Sequence, residues 1–265
     1  MSSSWPEVAV IGPGAVGCYF GAMLARAGAG VTVFGRPGGR SAHLEALGER
    51  GIEIDGVELR ETTPVAVAAS LDELATAELV LFAVKSMDTL EATRQIVDHL
   101  GERALVVSLQ NGIDNVERME AVGVVAIPTV VFVAAAIERP GAVKHRGRGD
   151  LVIGAYPSHP ELRPGAERVA TWFEAAGVPC PVSEDIRRDQ WIKLTLNSMT
   201  NATSALTGAS YRRLAEFEPT WELALSIAHE AIAVAAAEGT ELDMDEIVEK
   251  GLGIVKNVGE ATSST

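Results

Sequence analysis

Lys193, Asn197 and Asn201 recur at four-residue intervals in Trp191-Ile-Lys193-Leu-Thr-Leu-Asn197-Ser-Met-Thr-Asn201, the spacing of one helical face. An ammonium on such a face can steady negative charge developing on a nearby oxygen and can deliver a proton to it. The two amides on that face can each donate and accept hydrogen bonds, which suits a polar ligand. A solvated face would carry the same residues. The neighbours Trp191, Leu194, Leu196 and Met199, however, read as a mainly buried helix. An unpartnered amide there costs about 1–3 kcal/mol, which favours a bound polar ligand.

A second group of residues can hold a phosphate. Val8-Ala-Val-Ile-Gly12-Pro13-Gly14-Ala15-Val16-Gly17 reads as a strand, a glycine turn and the start of a helix, with G-x-G-x-x-G at the turn. Gly12 permits the tight turn, Gly14 lets a pyrophosphate approach the backbone, and Gly17 lets the helix close on the strand. Pro13, Ala15 and Val16 complete the loop and lead into a helix N-terminus, which suits a phosphate. Such a loop alone is common; the strand before it, the apolar helix through Met23-Leu24 and the strand at 31–34 give it weight.

NAD sites usually place an acidic residue at the end of that second strand. Here Arg36 stands there, and the first carboxylate is Glu45. A guanidinium pairs with a 2′-phosphate, so the cofactor reads as NADP, with a solvated loop arginine as the alternative. Lys85 in Phe82-Ala-Val-Lys85-Ser and Asn111 in Ser108-Leu-Gln110-Asn111-Gly112 each follow a predicted strand, on the side where open α/β sheets bind ligands. Lys85 could reach a ribose, phosphate or carboxylate, and Asn111 a nicotinamide ribose or carbonyl. An exposed strand-end lysine and a plain Asn-Gly turn are the alternatives.

Positioning these residues requires particular elements. Nearly continuous apolar runs at 8–11, 31–34, 79–84, 104–109 and 124–131 alternate with helical stretches such as 90–100. That pattern predicts parallel strands covered on both faces, a Rossmann-like doubly wound α/β sheet. The turn at 139–141 and a strand at 151–156 suggest an antiparallel addition at the sheet edge. After Pro-Cys-Pro at 179–181 the β signal stops, and helices are predicted at 186–199, 221–238 and 244–258. The expected domains are 1–182, binding the nucleotide, and 183–265, an all-helical C-terminal domain for the substrate, with the active site in the cleft between them.

Composition narrows the partners. The 265 residues carry a net charge of -14, which argues against nucleic acid and against an anionic membrane surface. Positive charge for an anionic cofactor must then be local, with Arg36, Arg40 and Lys85 as candidates. The N-terminus lacks a basic stretch followed by an apolar run, so no secretory signal is read, and no apolar stretch suits a membrane span. Two distant cysteines, Cys18 and Cys180, suggest the reducing cytoplasm. Five scattered histidines offer no metal spacing, and no metal site is expected.

Taken jointly, G-x-G-A-x-G, a strand ending in Arg, V-K-S, Q-N-G-x-x-N and W-x-K-L-x-x-N-x-x-x-N resemble the 2-dehydropantoate 2-reductase (ketopantoate reductase) family, in order and spacing, from Val8 to about Ser264. The resemblance implies NADPH-dependent reduction of 2-dehydropantoate to pantoate, for pantothenate and coenzyme A synthesis. It implies that Gly12, Pro13, Gly14, Ala15, Val16, Gly17, Arg36, Lys85 and Asn111 serve the cofactor. Lys193 would match the catalytic lysine, with Asn197, Asn201 and Ser264 binding a small 2-keto acid. Burial and nearby positive charge would lower a lysine's pKa toward neutrality and make it a better acid.

Two departures from the family pattern bear on this. Ser263-Ser264 resemble a serine pair that precedes a substrate-contacting glutamate; the chain ends at Thr265, so the helical domain reads as C-terminally truncated. A further asparagine is replaced near Tyr211, which leaves other 2-keto acids open. The oligomeric state is open too, a homodimer included. The nearest rival is a β-hydroxyacid dehydrogenase, which shares K-x-x-x-N but usually precedes it with a glycine-rich turn, where this chain has Arg187-Arg-Asp-Gln. A non-catalytic NADP-binding protein is the alternative of another class.

Overall fold

The computed structural model describes residues 5–35, 41–56 and 59–263. Arg36, Arg40 and Ser264 therefore lie outside the described residues. The chain divides into two compact units, Met1–Ile186 and Arg187–Thr265.

In the first unit, β1 (Glu7–Ile11), α1 (Ala15–Ala27) and β2 (Gly30–Phe34) form a βαβ unit. There follow α2 (Ala42–Arg50), β3 (Ile52–Gly56), β4 (Arg60–Thr63) and the short β5 (Ala66–Val67). Next come β6 (Leu79–Phe82), α3 (Thr89–Ile96), β7 (Leu105–Ser108) and α4 (Asn115–Glu120). The unit is completed by β8 (Ile127–Arg139), β9 (Ala142–Ile153) and α5 (Arg163–Ala175).

The nine strands form one sheet in the order β4-β3-β9-β8-β7-β6-β1-β2-β5. From β5 to β8 every pairing is parallel, while β8 and β9 pair antiparallel. Side chains of β1 alternate between two cores. Val8 and Val10 pack with α1 and α5, whereas Ala9 and Ile11 pack with residues of α3 and α4. This is why these strands read as unbroken apolar runs: both faces are covered. The antiparallel addition does not lie at the sheet edge. β9 is flanked by β3, and β4 forms the rim.

The second unit is helical: α6 (Ile186–Thr207), α7 (Tyr211–Glu216), α8 (Glu218–Ala237) and α9 (Met244–Val258). Gly251 of α9 lies near α6 and α8: a Cβ there would stand 3.7 Å from the Leu196 and Met199 side chains and 3.9 Å from Trp221. Glu246 of α9 pairs with Arg188 of α6. Among the described residues no helix is long and apolar enough to cross a membrane.

Candidate active site

The carboxyl ends of β2, β1, β6 and β7 are level, since Ile11 pairs with both Phe34 and Phe82, and Phe82 with Ser108. β1 has β2 on one side and β6 on the other, so the strand order reverses at β1/β6, where open α/β sheets bind ligands. The glycine loop rises there. Gly12 has φ +83°, and a Cβ on it would meet the Val84 backbone nitrogen at 2.8 Å. A Cβ on Gly17 would meet Gly12 O at 2.6 Å, while one on Gly14 would meet nothing within 4 Å. Gly12 and Gly17 are thus demanded by the protein's own packing, and Gly14 leaves open space. The first helical hydrogen bond runs from Cys18 N to Gly14 O at 2.8 Å. The N–H groups of Ala15, Val16 and Gly17 precede it and so have no intrahelical acceptor, which together with the helix dipole suits an anion.

Lys85 and Asn111 are exposed, just past β6 and β7. Their loops are joined by a buried polar network. Gln110 Nε2 donates to Val84 O at 3.0 Å and to Thr89 Oγ1 at 2.8 Å. The Ser108 hydroxyl donates to Gln110 Oε1 at 3.1 Å, and the Thr89 hydroxyl to Asn115 Oδ1 at 3.1 Å. Asn115 Nδ2 and the Ser86 hydroxyl both donate to Asn111 O, at 2.8 and 2.9 Å. The Q-N-G-x-x-N motif contains Gln110 and Asn115, but its spacing does not show this linking role. The available signal was Gln110, an amide just after an apolar strand, with Asn115 opening the next helix.

Lys193, Asn197 and Asn201 all lie on α6 and are all half-buried, beside buried Trp191, Ile192, Leu196 and Met199. The Tyr211 hydroxyl donates to Asn201 Oδ1 at 3.0 Å. Burial raises the Tyr211 pKa above the ordinary phenol value, which keeps it a donor. Ser204 near the end of α6 donates to Ala209 O at 2.8 Å and accepts from Ser263 N at 2.9 Å. That pair brings the segment before Ser264 to the same helix. An open cavity of about 570 Å³ beside Ser210, Arg213, Phe217 and Thr262 is not lined by Lys193, Asn197 or Asn201. Among the described residues no cluster of three His, Cys, Asp or Glu could hold a metal.

The first unit therefore gathers Gly12, Pro13, Gly14, Ala15, Val16, Gly17, Lys85 and Asn111 at one end of its sheet, and the second carries Lys193, Asn197 and Asn201 on one helix face. Residues 8–158 match the family described as Ketopantoate reductase PanE/ApbA, and residues 185–265 match its C-terminal description. The chain belongs to the ketopantoate reductase family. A 2-dehydropantoate 2-reductase of Pyrococcus abyssi is 31% identical over 238 residues, covering 90% of this chain and 76% of that protein. One of Halobacterium salinarum is 32% identical, covering 97% of this chain and 84% of that protein. The solved PanE/ApbA family ketopantoate reductase of Ralstonia eutropha JMP134 is 37% identical with a TM-score of 0.85, covering 97% and 83% of the two chains. D-mandelate dehydrogenase with NADH and anilino(oxo)acetate shares the fold, with a TM-score of 0.88 at 21% identity. Membership of the ketopantoate reductases sets aside the β-hydroxyacid dehydrogenase reading.

Proposed function

We propose that this chain reduces 2-dehydropantoate to pantoate with NADPH, a step toward pantothenate and coenzyme A. The observation that carries the reading is the half-buried Lys193-Asn197-Asn201 face, in which Tyr211 already occupies the acceptor oxygen of Asn201. The glycine loop fits a dinucleotide, because Gly14 leaves room and the first N–H groups of α1 are available to phosphate oxygens. When bound, the reduced nicotinamide supplies the hydride. Lys193 steadies the negative charge that develops on the keto oxygen and gives it a proton. Asn197 and Asn201 orient the hydroxyl and the carboxylate. Preference for NADP over NAD rests on Arg36, which offers a guanidinium where NAD sites have a carboxylate. The two buried thiols, Cys18 and Cys180, suit the reducing cytoplasm.

Tyr211 supports a second reading. It lies near the place where the resemblance implies a further asparagine, which leaves open a 2-keto acid other than 2-dehydropantoate. Following NADPH absorbance with 2-dehydropantoate and a panel of 2-keto acids separates the two readings. With the preferred acid, Lys193→Ala should lower kcat by about 10²–10⁴-fold with NADPH affinity unchanged. NADPH binding without turnover on any acid selects the non-catalytic alternative, and equal use of NADH removes the role given to Arg36.

A further inference from the structure

The carbonyl oxygen of Pro13, inside the glycine loop, faces two donors. His43 Nε2 lies 2.8 Å from it, and the Cys18 thiol donates to it at 3.2 Å. On the other side of the imidazole, the Gly141 N–H donates to His43 Nδ1 at 3.1 Å. A backbone N–H can only donate, so Nδ1 is the acceptor and the ring proton sits on Nε2, pointing at Pro13. One half-buried side chain on the first turn of α2 thus spans from the glycine loop to the turn between β8 and β9.

Two further contacts fix the frame of this bridge. Arg50, at the other end of α2, donates to Pro140 O at 3.3 Å. Gly141 has φ +82°, and a Cβ on it would stand 3.0 Å from Ala46 Cβ, so α2 and the turn touch closely. The Cys18 sulfur is 3.7 Å from Nε2, but burial pushes its pKa to about 12. It remains a thiol, and the pair is not an activated nucleophile.

The bridge acts on the loop through peptide planarity. The Pro13 carbonyl and the Gly14 N–H belong to one rigid plane. The Gly14 N–H is already turned onto Gly12 O at 2.8 Å. Holding the Pro13 oxygen from outside fixes that plane, and with it the direction in which the first N–H groups of α1 leave the loop.

We propose that His43 is a positioning residue for the dinucleotide: it locks the Pro13–Gly14 peptide in its phosphate-binding orientation and couples it to α2 and the β8–β9 turn. The inference rests on the reading of the glycine loop as the cofactor site. Its test uses the full chain, with dinucleotide affinity measured by fluorescence titration and with steady-state kinetics. His43→Ala should raise both Kd and KM for NADPH about tenfold, the worth of one half-buried hydrogen bond. Its kcat should stay within about twofold, because the lost contact serves binding and not the transition state. His43→Gln, whose amide can still donate toward Pro13, should bring Kd back to within about threefold of the wild type. In the wild type, long-range ¹H–¹⁵N spectra should show the Nε2–H tautomer for His43. A folded His43→Ala chain with wild-type affinity overturns the proposal, as does His43→Gln behaving like His43→Ala. A Nδ1–H tautomer overturns it without any variant. A wild-type chain that binds no dinucleotide instead overturns the cofactor reading, and that is seen before any variant is made.

Discussion

Because the Tyr211 hydroxyl donates to Asn201 Oδ1, the amide nitrogen is the group Asn201 has left to present. An amide fixed this way offers hydrogen-bond donors, which match a carboxylate or a hydroxyl oxygen and not a second donor. Tyr211 lies ten residues beyond Asn201 and would act through it, as an orienting group. Tyr211→Phe removes that constraint while keeping the ring, so Asn201 becomes free to turn. We expect KM for the keto acid to rise about three- to tenfold, the cost of one hydrogen bond, with KM for NADPH unchanged. Steady-state kinetics with each substrate varied in turn checks this, and an unaltered keto-acid KM would show that Asn201 needs no such orientation. At the same scale, a side chain at Gly12 or Gly17 would collide with the protein itself, whereas one at Gly14 would point into open space. The motif carries three glycines for two different reasons, which its spacing alone does not separate.

At the scale of elements, the cofactor side depends on how firmly the loops after β6 and β7 are tied together. Gln110 is 5% exposed and donates to both Val84 O and Thr89 Oγ1, so it anchors one loop to the other. Gln110→Leu keeps the bulk and removes both donors, leaving buried acceptors without partners. The expected loss is about 1–3 kcal/mol of stability, read as a lower Tm, together with a raised KM for NADPH as Asn111 loses its fixed setting. A variant with wild-type Tm and KM would reduce the network to incidental packing. This network also marks where the sequence stopped being legible. The strands β1, β2, β6 and β7 announce themselves because both faces are apolar. β4 does not, since Arg60, Glu61 and Thr62 are all exposed and give no alternation to read. Beyond Val133, β8 likewise runs through mostly exposed residues, so its true length of 13 residues was hidden. α6 continues past Met199 to Thr207 for a related reason: Ala202, Ala205 and Leu206 are exposed, and the apolar period fades before the helix ends. The Lys193 face was legible because its polar residues interrupt a buried helix, while the partner Tyr211 comes from the next helix and no periodicity connects the two.

Across the whole molecule the two units have unequal means of staying folded. The first has a sheet with a core on each face. The second buries Trp191, Leu196, Met199, Leu214 and Ile247, yet exposes Leu206, Phe217, Leu223, Val234 and Leu252. Its helices α6 and α9 are joined by the Arg188–Glu246 pair, with Lys250 also near Glu246 at 3.7 Å. Arg188, and after it Lys250, hold the Glu246 carboxyl below its ordinary value of 4.5. A carboxylate with a lowered folded pKa contributes stability that is fully present above the unfolded value and is lost as pH falls through the folded one. The window for this loss therefore opens near pH 4.5 and extends below it. Glu161 and Glu184 of the first unit are lowered in the same direction, but they sit on exposed ion pairs, where solvent screens the gain. Asp55 of β3 is lowered as well, chiefly by its hydrogen bond from Lys144, and its side chain is less exposed than that of Glu246, so it contributes in the same window. Acid should thus act on α6 and α9 in the second unit and on β3 in the first, and leave the middle strands of the sheet alone. Hydrogen exchange followed by mass spectrometry, at pH 7 and again at pH 4, should show peptides of α6 and α9 losing protection while those of β1 and β6 keep theirs. Glu246→Gln should be less stable than the wild type at pH 7, and the difference should shrink steadily as pH falls below 4.5, because the variant lacks the titrating group. If the two proteins instead differ by the same Tm shift at both pH values, the pair contributes packing and not charge, and the acid response of the helical unit must come from other carboxylates.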